Sequence, residues 1–474
     1  MSELTDLTIA EAGRRLQERS VSSQELVEAC LDRIEETEPA LHAYARVLAD
    51  SAREEARIAD RELAAGLWRG PLHGVPVAVK DLCYIRGVEA EAGSRAMAGF
   101  VPDHDATVVV RLREAGAPIL GKTVTHEFAY GQNIPPTRNP WDLAMYPGGS
   151  SAGSGVATAV GSTFGAIGTD TGGSIRVPSS INGIVGLKPT YGLVSRYGVV
   201  PLSGSLDHAG PMTRTVEDCA IFLQAVAGFD PRDSGSTERP VPDFRQALES
   251  GIQGARLGLD HRYFLSSGVT DAVASAFETA MEVLRGLGAE VVEVRIPELD
   301  LSTVVGLTIL QSEASAYHKE VLRTRLDDLE VGTRLMLEFG QLIPGTQYVK
   351  ALGARTVIAD AARRSFEVHR LDALVSPTLP IPTVLREQSV GDFLGGGGER
   401  VDLSGLLRHG ICGNVTGLPA LTQPCGFDEA RHPIGLQLFG RPFGEAGLFR
   451  LAQAYEAATP WHTMRPRADQ FQAA

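Results

Sequence analysis

The sequence predicts an α/β/α sandwich, in which helices flank a twisted, mixed and mostly parallel sheet. Short β-type runs at 75–79 and 163–168 alternate with helical patterns at 105–115 and 152–160. This alternation is typical of helices that pack on both faces of one sheet. Glycine and serine crowd the segment 148–210, so the turns there must be tight.

The N-terminal part of the chain has a helical pattern. Ser22, followed three positions later by Glu25, forms a capping box, a pair of side chains that bond backbone N–H groups where a helix starts. Leu26, Cys30 and Ile34 then line one helical face. We therefore expect helices before the sheet begins.

The remaining elements continue the alternation. Further strands are predicted at 117–120, 184–187, 257–259, 291–294, 373–375 and 434–438, and further helices at 271–287, 348–370 and 445–457. A glycine run at 395–398 predicts a flexible loop that could hinge a lid.

The chain contains no internal repeat and no low-complexity linker. We therefore expect a single domain over 1–474. Its expected parts are N-terminal helices at 1–70, a core at 71–230, a second α/β and helical lobe at 231–372, and a return to the sheet at 373–474.

Composition excludes several classes of protein. The net charge of −14 disfavours binding to nucleic acid. No apolar run approaches the ~20 residues of a membrane span, and the N-terminus lacks the apolar stretch of a signal peptide. The five cysteines are scattered and form no CxxC pair, which disfavours a disulfide framework or a zinc site. We expect a cytoplasmic protein that uses no metal.

A lysine ends the first β-type run, in the segment VPVAVKD at 75–81. The simple interpretation is a lysine whose amine reaches water along its apolar stem. The alternative is a buried Lys80, whose pKa falls because desolvation disfavours the charged amine. A neutral amine of that kind can act as a general base near pH 7.

Two serine-containing loops follow the lysine. The segment PGGSSAGS at 147–154 precedes a helical pattern, so its serines lie at a helix N-terminus, where N–H groups favour negative charge. In GTDTGGSIR at 168–176, two glycines before Ser174 let several N–H groups converge near the hydroxyl, as an oxyanion hole requires. Taken singly, each loop could also be an ordinary turn.

In this order, the three motifs closely resemble the amidase signature family. Its hallmark is a lysine after an apolar strand, then a GGSS-x-GS loop, then D-[ST]-GGS-[IV]-R. The similarity continues through IVGLKPT at 184–190, the LD and GP pairs within 206–211, and PAL with PIGLQ within 419–437. It spans most of the chain, from about Ser20 to Ala457.

This resemblance implies roles for the motif residues. It makes Ser174 the nucleophile, Ser150 a bridging serine joined to Gly149 by a cis peptide bond, and Lys80 the base. Neutral Lys80 would accept a proton from Ser150, which would accept one from Ser174. The expected reaction is cleavage of a C–N bond in a carboxamide, aryl amide or carbamate, with esters also open, and no cofactor is needed.

The resemblance also implies supporting residues. Backbone N–H groups would form the oxyanion hole, at Thr171, Gly172, Gly173 and Ser174. Side chains expected to brace the loops are Ser151, Asp170 and Arg176. An apolar substrate pocket is expected from Phe128, Tyr130, Ile134, Leu407 and Ile411.

Two other functions remain open. The segments KPTYG at 188–192 and VSRYG at 194–198 resemble the glutaminase subunit of tRNA-dependent amidotransferases. Against that subunit, the segment 131–139 is short, and LLRH at 406–409 lacks the carboxylate that would hold the amine of glutamine. A catalytically silent binding protein is the alternative of another class. A small-molecule substrate is the expected partner, and a homodimer is left open.

Two further motifs are coincidental in their sequence context. GAPILGKT at 116–123 matches a phosphate-binding loop, but its strand lies inside the motif rather than before it. GSSAG at 149–153 matches the nucleophile elbow of α/β-hydrolases, which would need a strand upstream and a partner for Ser151 such as His208 or His409. The preceding segment is a proline-punctuated loop instead. His73, His104 and His126 have no metal-like spacing.

Overall fold

The fold is described from a computed structural model. The described residues are 3–130, 135–266, 268–386 and 403–467, and the side chains of 403–406 are not described. The expected pocket residue Ile134 and the glycine run at 395–398 lie outside the described residues.

Over the described residues, one eleven-stranded sheet runs through the chain in the order β1-β3-β2-β4-β6-β5-β10-β11-β9-β7-β8. The strands are β1 Tyr44–Val47, β2 Val77–Lys80, β3 Ile119–Thr123, β4 Gly165–Asp170, β5 Val185–Lys188, β6 His208–Thr213, β7 Arg256–Leu259, β8 Glu290–Glu293, β9 Ala373–Pro377, β10 Ala420–Phe427 and β11 Pro433–Phe439.

The sheet is mixed, as expected, and its parallel pairs form two blocks. In one block β2 lies between β3 and β4, and in the other β7 lies between β8 and β9. Strands β6, β5, β10 and β11 fill the middle and pair antiparallel with every neighbour. A short turn joins β10 to β11, and only antiparallel strands can be joined so briefly.

Helices pack against this sheet, with α6 on β4, α8 on β6 and α10 on β10. The α-helices are α1 Glu3–Asp6, α2 Ile9–Gln17, α3 Ser23–Leu41, α4 Ala49–Ala64, α5 Thr107–Glu114, α6 Ala152–Ala159, α7 Arg176–Asn182, α8 Val216–Val226, α9 His261–Phe264, α10 Asp271–Gly286, α11 Ser302–Tyr317, α12 Lys319–Thr324, α13 Val331–Gln341, α14 Gly345–Val368, α15 Leu403–Thr416 and α16 Glu445–Ala457. Short 3₁₀ turns lie at Arg95–Met97, Glu127–Ala129, Pro297–Leu301, Leu326–Asp328 and Trp461–Thr463. The predicted α/β class is confirmed.

The N-terminal segment is not wholly helical, which corrects the sequence-based expectation. The capping box of Ser22 and Glu25 does start α3. However, β1 follows α3 and pairs antiparallel with β3, from Tyr44 opposite Thr123 onwards. Four residues are too few for a periodic pattern, so only the partner strand reveals this element.

Two strands carry the site region at their C-terminal ends. Strands β2 and β4 are parallel neighbours and are buried along their whole length. Lys80 is the last residue of β2, and Asp170 is the last residue of β4. The ends of adjacent parallel strands lie at one edge of a sheet, so the loops that follow them meet there.

Three further observations bear on the expected protein class. All five cysteines are buried and free of disulfides. Among the described helices, none combines the length and the apolar character that crossing a membrane would require. Over the same residues, no group of three or more His, Cys, Asp or Glu side chains could hold a metal ion.

Candidate active site

Lys80 does not reach water. Its side chain is completely buried, and its Nζ donates to Ser150 Oγ at 2.7 Å, to Thr169 Oγ1 at 2.9 Å and to Ser151 Oγ at 3.0 Å. Burial lowers the pKa of Lys80 to about 7, because the low-dielectric interior disfavours the ammonium form. The amine can therefore be neutral near physiological pH.

The first serine loop sits directly before helix α6. The Gly149–Ser150 peptide bond is cis, as the family resemblance implied. Ser151 is fully buried and donates to the backbone carbonyl of Thr169 at 3.2 Å. These contacts tie the loop to the end of β4, so that the Ser150 hydroxyl faces the lysine amine.

Asp170 organises the second serine loop. Its carboxylate accepts the backbone N–H groups of Gly173 and Ile175, at 2.9 and 3.1 Å. It also accepts Nη2 and Nε of the fully buried Arg176, at 2.8 and 3.0 Å. Burial alone raises the pKa of Asp170, but the charge and hydrogen bonds of Arg176 outweigh it and hold that pKa well below its ordinary value. The carboxylate is thus ionised and shapes the turn that carries Ser174.

The turn presents backbone donors around Ser174. Within the described part of the chain, the N–H groups of Thr171, Gly172 and Ser174 have no protein acceptor. The N–H of Gly173 is already bonded to Asp170, so it is the exception among the four donors expected from the sequence. Three adjacent N–H groups without a protein acceptor are what an oxyanion hole requires.

The Ser174 hydroxyl makes no hydrogen bond to any described residue, and its side chain is only partly buried. The two serine loops nevertheless touch, because the N–H of Ser151 donates to the carbonyl of Ser174 at 3.3 Å. A hydroxyl rotates freely about its side-chain bond, and catalytic hydrogen bonds often tighten only when substrate is bound.

Sequence reasoning missed a polar layer behind the turn. The Nδ2 atom of Asn414, on α15, donates to the carbonyl and carboxylate of Asp170, and its Oδ1 accepts Arg176 Nη2 at 2.7 Å. Gln437, on β11, accepts Arg176 Nη1 at 2.9 Å. Gln437 belongs to the PIGLQ segment, whose resemblance to the family could have indicated a role for it. The residues around Asn414 match no motif that would have done the same.

The site geometry can be compared with known proteins. The family model for Amidase matches residues 25–449 of this chain. The chain belongs to the amidase signature family.

Full-length relatives agree with this assignment. An amidase of Pseudomonas putida is 45% identical, over 98% of this chain and 99% of its own length. A glutamyl-tRNA(Gln) amidotransferase subunit from Geobacter metallireducens is 41% identical, over 98% of this chain and 99% of its own length. The solved structure of a bacterial aryl acylamidase of the same family aligns with a TM-score of 0.87 and 26% identity, covering 100% of this chain and 99% of the other. The protein is an amidase, a hydrolase that acts on amide C–N bonds.

Neither of the two coincidental motifs has the surroundings that a phosphate-binding loop or a nucleophile elbow needs. Gly121 and Lys122 of the phosphate-loop match lie inside β3, and Lys122 pairs with Asp81 at 2.5 Å. Ser151 shares no hydrogen bond with His208 or with any other histidine of the described chain. Both motifs are therefore features of the amidase core.

The expected pocket residues of this amidase divide into two groups. Phe128 is fully buried, with its ring centroid 4.1 Å from that of His318, and Ile411 is fully buried against Gly306 of α11. These two side chains belong to the core rather than to an open pocket, because helix and loop packing covers them completely. Leu407 is partly exposed and lies near the turn, with its Cδ2 3.9 Å from where a Cβ on Gly172 would stand.

Tyr130 has a different environment. Its side chain is almost completely buried, at 7% exposure, and among the described residues its hydroxyl has no hydrogen-bond partner. Burial raises the pKa of Tyr130, so the phenol stays neutral at any physiological pH. It does not line the cavity that lies beside the site.

That cavity has a volume of about 240 Å³. Its lining residues include the polar Thr169 and Thr171 and the apolar Leu82, Val200 and Leu202. Since Thr169 accepts a hydrogen bond from the lysine amine, the cavity borders the catalytic candidates directly. Charged side chains also line it, among them Asp207, which accepts a hydrogen bond from Thr171 Oγ1 and favours the ammonium form of Lys80.

Proposed function

We propose that this amidase hydrolyses the C–N bond of an apolar carboxamide, aryl amide or carbamate, and also esters, with Ser174 as nucleophile, Ser150 as relay and Lys80 as base. The observation that carries the proposal is the buried Lys80 amine 2.7 Å from Ser150 Oγ. An amine with a pKa of about 7 is half deprotonated at neutral pH, where a general base is most effective.

In the first step, neutral Lys80 accepts the proton of Ser150, and Ser150 accepts the proton of Ser174. The Ser174 oxygen forms a bond to the substrate carbonyl carbon, and the carbonyl π electrons move to oxygen. The N–H groups of Thr171, Gly172 and Ser174 then bind that oxyanion. Losing one such donor typically costs ~10²–10³ in rate.

In the second step, the tetrahedral intermediate collapses and the C–N bond breaks. Ser150 gives its proton to the departing nitrogen and recovers one from protonated Lys80. Water then attacks the acyl-enzyme ester, losing its proton along the same relay. Collapse of this second intermediate returns the proton to Ser174 and releases the acid, so the enzyme ends as it began.

The apolar substrate class rests on the surroundings of the turn. Leu407 lies beside Gly172, and Leu82, Val200 and Leu202 line the adjoining cavity. These apolar side chains suit an aryl or alkyl group, while Arg196 and Asp207 give the same cavity a polar part. The structural similarity to an aryl acylamidase supports the same class.

The glutaminase subunit of an amidotransferase is the second candidate, favoured by the 41% identity to the Geobacter protein. Of the two sequence departures, the short segment falls partly outside the described residues, at 131–134. The other falls at the start of α15, where Arg408 is close to Asp300, at 3.5 Å, and lies over the ring of Tyr263. A cationic side chain there does not suit the amine of glutamine.

A substrate panel on the purified chain, without partner subunits, tests the proposal. Aryl amides, aryl carbamates and aryl esters are compared with glutamine under identical conditions. We expect turnover of the aryl substrates and its loss in Ser174→Ala. Turnover of glutamine alone would replace the proposal by the glutaminase function. Failure of a fluorophosphonate probe to label the chain would favour the silent binding protein.

A further inference from the structure

Helix α13 packs against the protein along one face only. Its buried residues Thr333, Leu337 and Gly340 form an inner stripe that lies on α11. The approach is close at Gly340, where a Cβ would stand 2.1 Å from Ser315 Oγ and 2.3 Å from the carbonyl oxygen of Gln311. This face of the helix is therefore fixed to the rest of the fold.

The opposite face of α13 is also apolar, and it is open. Val331, Leu335 and Phe339 of the helix and Leu342, the residue that caps its C-terminus, follow the spacing i, i+4, i+8 and i+11, which places them on one side. Their exposures are 65%, 44%, 56% and 77%. A surface helix normally has one apolar stripe, and a helix that is apolar on both sides is normally covered on both. We call these four residues the outer stripe.

Two charged residues flank the outer stripe on one side. Arg334 and Glu338 are one turn apart, with Nε 3.0 Å from Oε1, and each side chain is 40% exposed. On a helical projection both lie between the inner and outer stripes, on the same flank. The flank is thus basic at its N-terminal end and acidic at its C-terminal end.

This arrangement is complementary to itself when the helix is reversed. Reversal about Leu337 exchanges Leu335 with Phe339, and along the helix axis it brings Arg334 of one copy to within ~3 Å of the level of Glu338 in the other. In an antiparallel helix pair related by a two-fold axis, residues on the same flank face each other. A second copy of α13 would therefore set apolar against apolar and cation against anion.

We propose that the outer stripe is the interface of a homodimer, in which two copies of α13 pair antiparallel across a two-fold axis. Such an isologous contact uses one surface patch twice. A standard interface buries ~800 Å² per partner, more than four side chains provide, so we expect a reversible dimer rather than an obligate one.

The charges favour a second copy over a lipid surface. Helices that lie on membranes carry mostly Lys and Arg on the polar face, because lipid headgroups are often anionic. The flank of α13 carries one residue of each sign, and the whole chain has a net charge of −14. Anionic lipid would repel such a chain, whereas a reversed copy neutralises each charge.

Charge reversal tests the proposal by sedimentation velocity on the full chain over a dilution series. We expect wild-type protein to dimerise, and Arg334→Glu and Glu338→Arg each to weaken the dimer ~10-fold or more, since each sets like charges opposite one another. An equimolar mixture of the two variants should dimerise again, because an all-acidic flank then meets an all-basic one. That recovery also shows that both variants are folded.

The matched control is Arg285→Glu on α10, which reverses an exposed arginine that also pairs with a glutamate, Glu278. It should leave the dimer unchanged. A wild-type chain that stays monomeric throughout the series, or variants that dimerise like wild type, would overturn the proposal. Co-sedimentation of a monomeric wild-type chain with phosphatidylcholine vesicles, lost in Phe339→Ser, would also overturn it by making lipid the occupant.

Discussion

The side-chain amide of Asn414 donates to both the carbonyl oxygen and the carboxylate of Asp170, at 3.0 and 2.9 Å. Asn414 lies on α15, and Asp170 ends β4 more than half the chain earlier. The same carboxylate holds the turn that carries Ser174. The shape of the proposed oxyanion hole therefore depends on a helix distant in sequence.

Replacing Asn414 by leucine should loosen that turn without removing any of the proposed reacting groups. We expect kcat to fall ~10-fold or more with a smaller change in KM, because Asn414 contacts Asp170 rather than the substrate. A lost hydrogen bond to a charged group also costs ~1.5–3 kcal/mol in the free energy of unfolding. Steady-state kinetics and urea unfolding measure both effects. A variant that is destabilised but has unchanged kcat would contradict the positioning role.

Gly410 allows α15 to approach the same turn. A Cβ on Gly410 would stand 2.4 Å from the carbonyl oxygen of Gly172, so Gly410→Ala should push the oxyanion turn aside and abolish most activity. The matched control is Gly353→Ala in the middle of α14, where a Cβ meets nothing within 4 Å. That change should stabilise the fold by ~0.5–1 kcal/mol with activity intact. Equal activity in the two variants would contradict the account.

Glu313 fixes the wall of the cavity beside the site. Its carboxylate accepts the hydroxyls of Ser203 and Ser205, at 2.6 and 2.8 Å, and the hydroxyl of Tyr348 at 2.9 Å. Ser203 follows the lining residue Leu202. Glu313→Gln replaces a charged acceptor by a neutral amide, so the wall should loosen. We expect KM to rise several-fold with kcat nearly unchanged; a fall in kcat alone would assign Glu313 a different role.

The pH profile reports the ionisation of the base. Burial lowers the pKa of Lys80 to about 7, and only the neutral amine can accept a proton. The kcat/KM value should therefore rise as pH increases through about 7 and then level off, because kcat/KM follows the free enzyme. Fluorimetric assays with an aryl amide at fixed ionic strength would record this rise of kcat/KM with pH. Activity that is constant from pH 6 to 8 would exclude Lys80 as the titrating base.

The local motifs carried most of what the sequence could predict. Lys80, Ser150 and Ser174 each sit beside a strand end or a helix start, so short-range pattern indicates where they lie. The contacts of Asn414 and Glu313 join segments far apart in sequence, and no local pattern specifies them. Their roles become visible only when the sheet brings α15 and α11 next to the turn and the cavity.

The same limit explains why the sequence did not reveal strand β6 or the burial of two expected pocket residues. Strand β6 contains Gly210 and Pro211, which are poor strand formers, and it forms because β4 and β5 supply partners on both sides. Phe128 and Ile411 have the apolar character expected of pocket walls. Apolar character alone does not distinguish a pocket from a core, and here His318 and Gly306 cover them.

The central claim is that neutral Lys80 activates Ser174 through Ser150. The most direct measurement is the rate at which a fluorophosphonate labels the protein as a function of pH, followed by mass spectrometry of the labelled peptide. The account predicts a single adduct on Ser174, labelling that accelerates as pH rises through about 7, and labelling that is at least ~100-fold slower in Lys80→Met. An adduct on Ser151, or labelling of Lys80→Met at the wild-type rate, would contradict it.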